Sequence, residues 1–217
     1  MILKQQHSFW GSLSPLGGLT GAGLLVMACG RLSWAVTVAG CLFWVYGLTS
    51  FAFASLLSAK LKKIMPASGL LTLFTCLAVF FCSVYILLFW LLCPFAVMEV
   101  FMLLLLVPLF CVNSGIVQQM QSSCENTNAD IFDILSDAVS QAASLAGLIM
   151  AFSIIREPLS YCMLSFPGTS QGMVTIMYFK SGEFFPMGIF AASAGSLFLL
   201  GYFICLYQYL KGKMGNG

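Results

Sequence analysis

Charged residues are scarce in this chain. Only 7% of its 217 residues are Asp, Glu, Lys or Arg, whereas 60% are hydrophobic. Soluble domains carry about 25% charged residues, so we predict an integral membrane protein that forms a single domain over residues 1–217, embedded in a lipid bilayer. The net charge of +2 is too small to indicate nucleic acid or another polyanion as a partner.

Histidine and closely spaced cysteines are also lacking, which excludes several kinds of active site. His7 is the only histidine, so the sequence has no Ser-His-Asp or Cys-His arrangement for hydrolysis. Nine cysteines are present, but no two form a CxxC pair, and most lie inside apolar runs. Free thiols in such runs behave as small hydrophobic groups. A disulfide framework and a compact zinc site are therefore not expected.

The sequence does contain six apolar segments, in the order short, long, long and then interrupted, long, long. They cover approximately residues 16–30, 34–59, 70–92, 95–115, 134–155 and 187–210. We predict an all-α membrane protein with six transmembrane segments, in which residues 16–92 and 95–210 form an inverted 3+3 repeat. Lys and Arg are more frequent in the loops that lie on the N-terminal side of the membrane, so both termini are predicted to be cytoplasmic.

The first segment is too short to cross a bilayer comfortably, at about 15 apolar residues that are interrupted by glycines. It ends on Cys29, Gly30 and Arg31. A short, glycine-broken segment is typical of a half-helix that stops inside the membrane. Cys29 is then either a packing residue or a ligand, and Arg31 is either an interfacial anchor or a positive charge that compensates an anionic group.

The fourth segment contains Pro108, which removes one helix hydrogen bond, and it ends on Cys111, Asn113 and Ser114. We predict a second broken half-helix here, and we expect the two half-helices to meet near the midplane with Cys29 at the meeting point. Cys111 is the second candidate metal ligand. A two-iron cluster needs four ligands, and this chain offers two at most, so a homologous partner would have to supply the others.

Ionisable residues near membrane spans are candidates for function. Glu99 and Glu157 both lie close to span ends, where we expect them to be solvated, and Arg156 and Glu157 are expected to pair with each other at the surface in that case. Arg156, Glu157 and Pro158 are predicted to end the fifth span. The loop over residues 165–172 is predicted to lead into an interfacial stretch.

The fifth span also carries small residues four positions apart. Such spacing lets helix backbones approach closely, and we predict packing inside the bundle rather than a subunit interface. The two rows are Ser136, Ser140 and Ser144, and Ala138, Ala142 and Ala146.

Three stretches in this order resemble a known family, the paired small integral subunits of the Rnf ion-translocating ferredoxin:NAD oxidoreductase and of the related sodium-translocating NADH:quinone reductase, Nqr. Residues 24–29 resemble the first half-helix of that family, which ends in cysteine. Residues 107–113 resemble its second half-helix, and residues 155–159 resemble its Arg-Glu signature after the fifth span. The similarity covers nearly the whole chain.

The resemblance implies two homologous subunits of opposite topology that share one [2Fe-2S] cluster in the membrane, each giving two cysteines. Cys29 matches the first of these, with Gly30 and Arg31 beside it. The family's second cysteine directly follows the asparagine, and that position is Ser114 here. Cys111 lies three residues earlier, so the resemblance implies either altered ligation of the cluster or its loss.

The function implied by the resemblance is electron transfer across a bacterial or archaeal cytoplasmic membrane, within an Rnf/Nqr-type complex that also contains flavin or iron–sulfur subunits. Two alternatives remain open from the sequence. One is a secondary transporter with inverted repeats and no redox centre, and the other is a cofactor-free scaffold subunit of the same complex.

Overall fold

A computed structural model describes residues 15–58, 67–113, 131–168, 173–178, 188–190 and 192–214. This part of the chain is mostly helical, with one small antiparallel sheet and a short 3-10 helix between the last two α-helices. The α-helices are α1 (Pro15–Ala28), α2 (Leu32–Ser58), α3 (Ala67–Leu92), α4 (Pro94–Asn113), α5 (Ile131–Tyr161) and α6 (Ser193–Met214). The remaining elements are β1 (Met163–Pro167), β2 (Met173–Tyr178) and the 3-10 helix (Gly188–Phe190).

Four of the described helices, α2 to α5, are long and apolar enough to cross a membrane. The chain is therefore a multi-pass helical membrane protein, as predicted. The helix α1 has 14 residues, a length of about 21 Å against a hydrocarbon core of about 30 Å. Within the part of α6 whose side chains are described, residues 194–203 form a shorter apolar helix. A short first helix was predicted, and α1 ends at Ala28, directly before Cys29.

The central helix of the bundle is α2, which contacts α3, α4 and α5. The Tyr85 hydroxyl on α3 donates a hydrogen bond to the Thr37 carbonyl on α2 at 2.9 Å. Towards the other end of α2, the rings of Phe53 and Phe74 pack edge to face with centroids 5.3 Å apart. The order of these two contacts along the helices shows that α3 is antiparallel to α2.

The helix α4 runs parallel to α2. The Trp34 indole near the start of α2 bonds to Glu99 near the start of α4, and Tyr46 lies against Phe110 near the end of α4. Because α5 is antiparallel to α2, the starts of α2 and α4 lie at the same end of the bundle as the last turns of α5. The β-hairpin follows α5 there, and we call this end the hairpin end.

Pro108 does not interrupt the fourth helix, contrary to the prediction from the sequence. The helix α4 is continuous over 20 residues, and Pro108 is buried inside it. A proline has no N–H to bond the carbonyl four residues earlier, which is that of Leu104. The Cys82 thiol of α3 donates to this carbonyl at 3.3 Å instead. The neighbouring helix α3 therefore supplies the donor that Pro108 cannot give to the Leu104 carbonyl, and α4 does not break.

The fifth span was also predicted to stop at residues 156–158, and this prediction is wrong. The helix α5 continues through Pro158 to Tyr161. It ends at Cys162, which has a left-handed backbone with φ of 53° and whose N–H bonds to the Pro158 carbonyl at 3.0 Å. This is the usual geometry of a helix C-terminus. The hairpin of β1 and β2 then follows, within a stretch in which the sequence did not indicate strands.

The two rows of small residues on α5 have different environments. Ala138, Ala142 and Ala146 are all buried, so the predicted packing inside the bundle is confirmed for this row. Ser136 and Ser140 are exposed. Alanine at every fourth position gives α5 a flat face, which allows its close and extensive packing against α2.

Replacing Cys82 by alanine is expected to destabilise the protein. The Leu104 carbonyl would lose its donor inside the apolar bundle, so the free energy of unfolding should fall by about 1–3 kcal/mol. Cys82→Ser retains a donor and should lose less. Unfolding in detergent micelles, followed by circular dichroism, measures both. Cys76→Ala, which changes an exposed thiol, is the control and should have little effect.

A double-mutant cycle with Pro108→Ala tests the physical cause. Alanine restores the backbone N–H that can bond the Leu104 carbonyl, so the cost of Cys82→Ala should shrink in the Pro108→Ala background. If the two substitutions are strictly additive, the thiol does not substitute for the missing proline N–H.

Candidate functional site

The candidate site lies at the break between α1 and α2. The helix α1 ends at Ala28, residues 29–31 form a tight turn, and α2 begins at Leu32. Gly30 lies under the Trp34 ring, which would be 3.0 Å from a Cβ at that position, so a larger residue would not fit without movement. Each helix end leaves backbone groups without partners inside their own helix. In a bilayer these groups must be bonded to something else.

Arg156 bonds to the Val26 carbonyl near the end of α1. Its side chain is 4% exposed, and Nη1 lies 3.5 Å from the Val26 carbonyl oxygen. Nε donates to the Phe190 carbonyl at 2.7 Å, and Nη2 donates to the Ala192 carbonyl at 3.1 Å. The Ser196 hydroxyl of α6 gives Val26 a second donor, at 3.1 Å. A cation at a helix C-terminus is also stabilised by the helix dipole.

Glu157 caps the start of α2. Its carboxylate is fully buried and accepts the Leu32 N–H at 3.0 Å. It also accepts the backbone N–H of Ser165 at 3.1 Å and the Ser165 hydroxyl. The Ser165 hydroxyl lies 3.4 Å from that of Ser33. An acidic side chain is the favourable partner for a helix N-terminus.

Arg156 and Glu157 were expected to be solvated or paired with each other at the surface, and both expectations are wrong. Both side chains are buried, and they bond to opposite sides of the break between α1 and α2. We call this arrangement the Arg–Glu clamp, formed by Arg156 and Glu157. Each charge is held by several hydrogen bonds, which offsets the cost of removing it from water.

The Cys29 thiol lies inside this clamp. It is fully buried, donates to the Val26 carbonyl at 3.4 Å and has Nη1 of Arg156 3.5 Å from its sulfur. The sequence suggested Arg31 as a possible charge beside an anionic group. In the structure the cation next to the thiol is Arg156, which is distant in sequence and close in space.

Arg31 has a different environment, at the surface of the hairpin end. Its guanidinium lies 4.0 Å from the Glu99 carboxylate and over the rings of Trp34 and Tyr161, at 5.5 and 5.4 Å from their centroids. One Nη lies 3.2 Å from the Met173 sulfur. Glu99 also accepts the Trp34 indole N–H at 2.8 Å. Arginine among Trp and Tyr at the end of a span is typical of an interfacial anchor.

The end of α4, which the sequence predicted to be the second half-helix, has other neighbours than Cys29. Cys111 is fully buried, and its sulfur lies 3.9 Å from the Thr49 hydroxyl of α2. The Asn113 side chain donates to the Leu109 carbonyl of its own helix at 2.9 Å, so it supports the end of an unbroken α4. Ser114 lies outside the described residues.

The structure does not bring Cys29 and Cys111 together. Cys29 lies beside the start of α2 at Leu32, whereas Cys111 contacts Thr49, about 25 Å further along the axis of α2. The two tips therefore do not meet, and Cys29 lies at the hairpin end of the bundle. Over the residues that the structure describes, no group of three or more metal-ligating side chains is found. Cys29 and Cys111 do not fit as two ligands of one [2Fe-2S] cluster in this arrangement.

Sequence reasoning missed the hydroxyls that complete the clamp, those of Ser33, Ser165 and Ser196. Each bonds to a partner on another element. The one available signal was the adjacent Arg156 and Glu157 inside an otherwise apolar helix, because buried charges need partners. The sequence alone does not show which partners.

Removing the Glu157 carboxylate should strongly destabilise the helix break. Glu157→Ala leaves the N–H groups of Leu32 and Ser165 without an acceptor, and we expect the free energy of unfolding to fall by roughly 2–4 kcal/mol. Glu157→Gln keeps one acceptor oxygen and should lose about half as much. Glu99→Ala is the matched control: its side chain is 39% exposed, so about 1 kcal/mol or less is expected. Equal losses for Glu157→Ala and Glu99→Ala would contradict the cap.

Opening the clamp should expose Cys29 to thiol reagents. In Arg156→Ala the end of α1 loses the guanidinium but keeps the Ser196 donor, and a lowered cost of local opening should raise the alkylation rate of Cys29 by about tenfold. Arg156→Lys keeps the positive charge but lacks the planar guanidinium, so its Cys29 alkylation rate should lie between those of the parent and Arg156→Ala. Alkylation by N-ethylmaleimide, quantified for each cysteine by peptide mass spectrometry, measures this. The exposed Cys76 and Cys205 are internal references, and an unchanged Cys29 rate would contradict the clamp.

Comparisons with known proteins do not assign this site to a family. No protein-family model matches the chain, and no curated protein matches its sequence. The resemblance to the Rnf/Nqr subunits therefore depends on the residues themselves: a short helix that ends at Cys29, a proline-containing fourth helix, and the Arg156–Glu157 pair on the fifth.

Proposed function

We propose that this chain is a membrane subunit of an Rnf/Nqr-type ion-translocating oxidoreductase complex. The observation that carries the proposal is the Arg–Glu clamp. Two of the stretches that resemble the family, the cysteine-ended first helix and the Arg-Glu pair, lie more than 120 positions apart in the sequence. They form one contact network around Cys29. Because the two stretches are in direct contact, there is a physical reason for both to occur in the same chain.

The finer architecture that we propose is the inverted 3+3 repeat, with α1 and α6 as the segments that complete the six. Its support is that the corresponding helices of the two halves pack against each other, α1 on α4 and α2 on α5. At Gly21 of α1, a Cβ would be 2.6 Å from the Phe110 ring of α4, whereas the turn after α1 is near Glu99. The helices α1 and α4 are therefore antiparallel, as an inverted repeat requires.

The orientation that we propose places the hairpin end outside and both termini in the cytoplasm. The helix α6 leaves the hairpin end, where Ser196 bonds to Val26, and its distal end carries Lys211 and Lys213. Arg31 is at the hairpin end. This distribution agrees with the excess of Lys and Arg expected on the cytoplasmic side. The host membrane in this proposal is a bacterial or archaeal cytoplasmic membrane.

The partners that we propose are a homologous membrane subunit of opposite topology and the flavin or iron–sulfur subunits of the complex. Whether this chain carries electrons depends on Cys29. Its sulfur lies 3.5 Å from Nη1 of Arg156, and a cysteine that binds a metal does so as the thiolate. The distance between Cys29 and Cys111 instead favours a second candidate, a cofactor-free scaffold subunit of the same complex.

Affinity purification of the tagged chain from its native membrane, in mild detergent, tests the proposal. We expect flavin and iron–sulfur subunits to be recovered with it, and ion uptake into reconstituted vesicles to depend on a reduced electron donor. Recovery of the chain without redox subunits, together with solute transport in vesicles, would contradict the proposal and favour the secondary transporter.

Iron content and EPR spectra then distinguish an electron-carrying subunit from a cofactor-free scaffold subunit. If Cys29 is a cluster ligand, Cys29→Ala should remove one two-iron signal from the purified complex, whereas Cys111→Ala should leave it unchanged because Cys111 lies elsewhere. An identical spectrum for Cys29→Ala and the parent complex would assign this chain the scaffold role.

A further inference from the structure

Strand β1 of the hairpin packs against the helices of the bundle, whereas residues 174–178 of β2 are all exposed. Ser165 of β1 is buried, since its hydroxyl bonds to Glu157, and it pairs with Thr175 of β2. Neighbouring residues of a strand point to opposite faces, so Leu164 and Phe166 point away. Their cross-strand partners Met177 and Val174 share that face. We call these four residues, Leu164, Phe166, Val174 and Met177, the outward face.

The outward face is apolar; Leu164 is half-buried and the other three residues are exposed. Phe166, Val174 and Met177 are 44%, 53% and 55% exposed, and neither described strand contains a charged residue. Ile176, the extra residue at the bulge between the two strands, is also exposed. A contiguous apolar surface of this kind is normally covered by another molecule. An isolated two-stranded hairpin is also only marginally stable in water.

The position of the hairpin along the membrane normal follows from its neighbours. Trp34, Tyr161 and Arg31 form a cluster at the hairpin end, and clusters of this composition mark the level of the lipid headgroups. Met173, the first residue of β2, contacts Arg31 in this cluster at 3.2 Å. The strand β2 therefore starts at the headgroup level, where its apolar residues are within reach of the acyl chains.

We infer that the hairpin is a membrane-interface element whose outward face is covered by lipid, at the boundary between headgroups and acyl chains. The outer edge of β2 has no neighbouring strand in the described part of the chain. An open sheet edge is excluded from the hydrocarbon core, but water at the interface can bond to its backbone groups. Ile154 and Ile155 of α5 are also exposed, so the lipid-facing surface of α5 leads to the hairpin.

Quenching by brominated lipids tests this inference with tryptophan substitutions. Val174→Trp and Met177→Trp place the probe on the outward face, and Thr175→Trp places it at an exposed position on the opposite face, beside Ser165. The full chain is reconstituted in phosphatidylcholine vesicles, and the emission of the parent, which has four tryptophans, is subtracted. Lipids brominated near the headgroup should reduce the added emission of both outward variants by about twofold, as expected for a shallowly inserted apolar face.

Several outcomes would overturn the inference. Strong quenching by aqueous iodide with none by brominated lipid would place the outward face in water. Protection from both quenchers would show that protein covers it, and stronger quenching by lipids brominated near the chain methyl would place it in the hydrocarbon core. Equal lipid quenching for Thr175→Trp would remove the distinction between the two faces. Circular dichroism identifies a variant that fails to fold, and the other outward variant then decides the result.

Discussion

The structure depends on one constraint, that no backbone polar group is left unbonded in a medium without water. The break between α1 and α2 puts carbonyls of one helix and N–H groups of the next at the same place. Arg156 donates to the former and Glu157 accepts from the latter. Two adjacent residues of α5 thus close a gap in another part of the chain, because a cation suits one helix end and an anion the other. These partners stabilise the end of the short first helix and the start of the second.

The same constraint accounts for several polar side chains elsewhere in the bundle. The Cys82 thiol bonds to the carbonyl that Pro108 leaves free, and the Tyr85 hydroxyl bonds to the Thr37 carbonyl of the central helix. Thr37 bonds back to the Ser33 carbonyl of its own helix at 2.8 Å. In each case the polar side chain bonds to backbone. Thiols and hydroxyls in apolar runs are therefore not in themselves evidence for a reactive site here.

The sequence was sufficient for features that depend on local composition. The membrane class follows from the scarcity of charge, and the end of α1 follows from the short apolar run before Cys29. The interruption at Pro108 was predicted wrongly, because the donor that compensates it comes from α3. Arg156 and Glu157 were noticed but placed at the surface, since their partners lie far away in the sequence. The turn residues Pro167, Gly168 and Gly172 were visible in the sequence, but the apolar runs on either side are short, and runs of this length do not distinguish a strand from another apolar segment.

Among the described residues, Arg156 donates to carbonyls of α1, of the 3-10 helix and of the segment that leads into α6. The Arg156 guanidinium on α5 therefore links α1 to the start of α6. A displacement of α1 along the membrane normal would either carry the start of α6 with it or break these bonds.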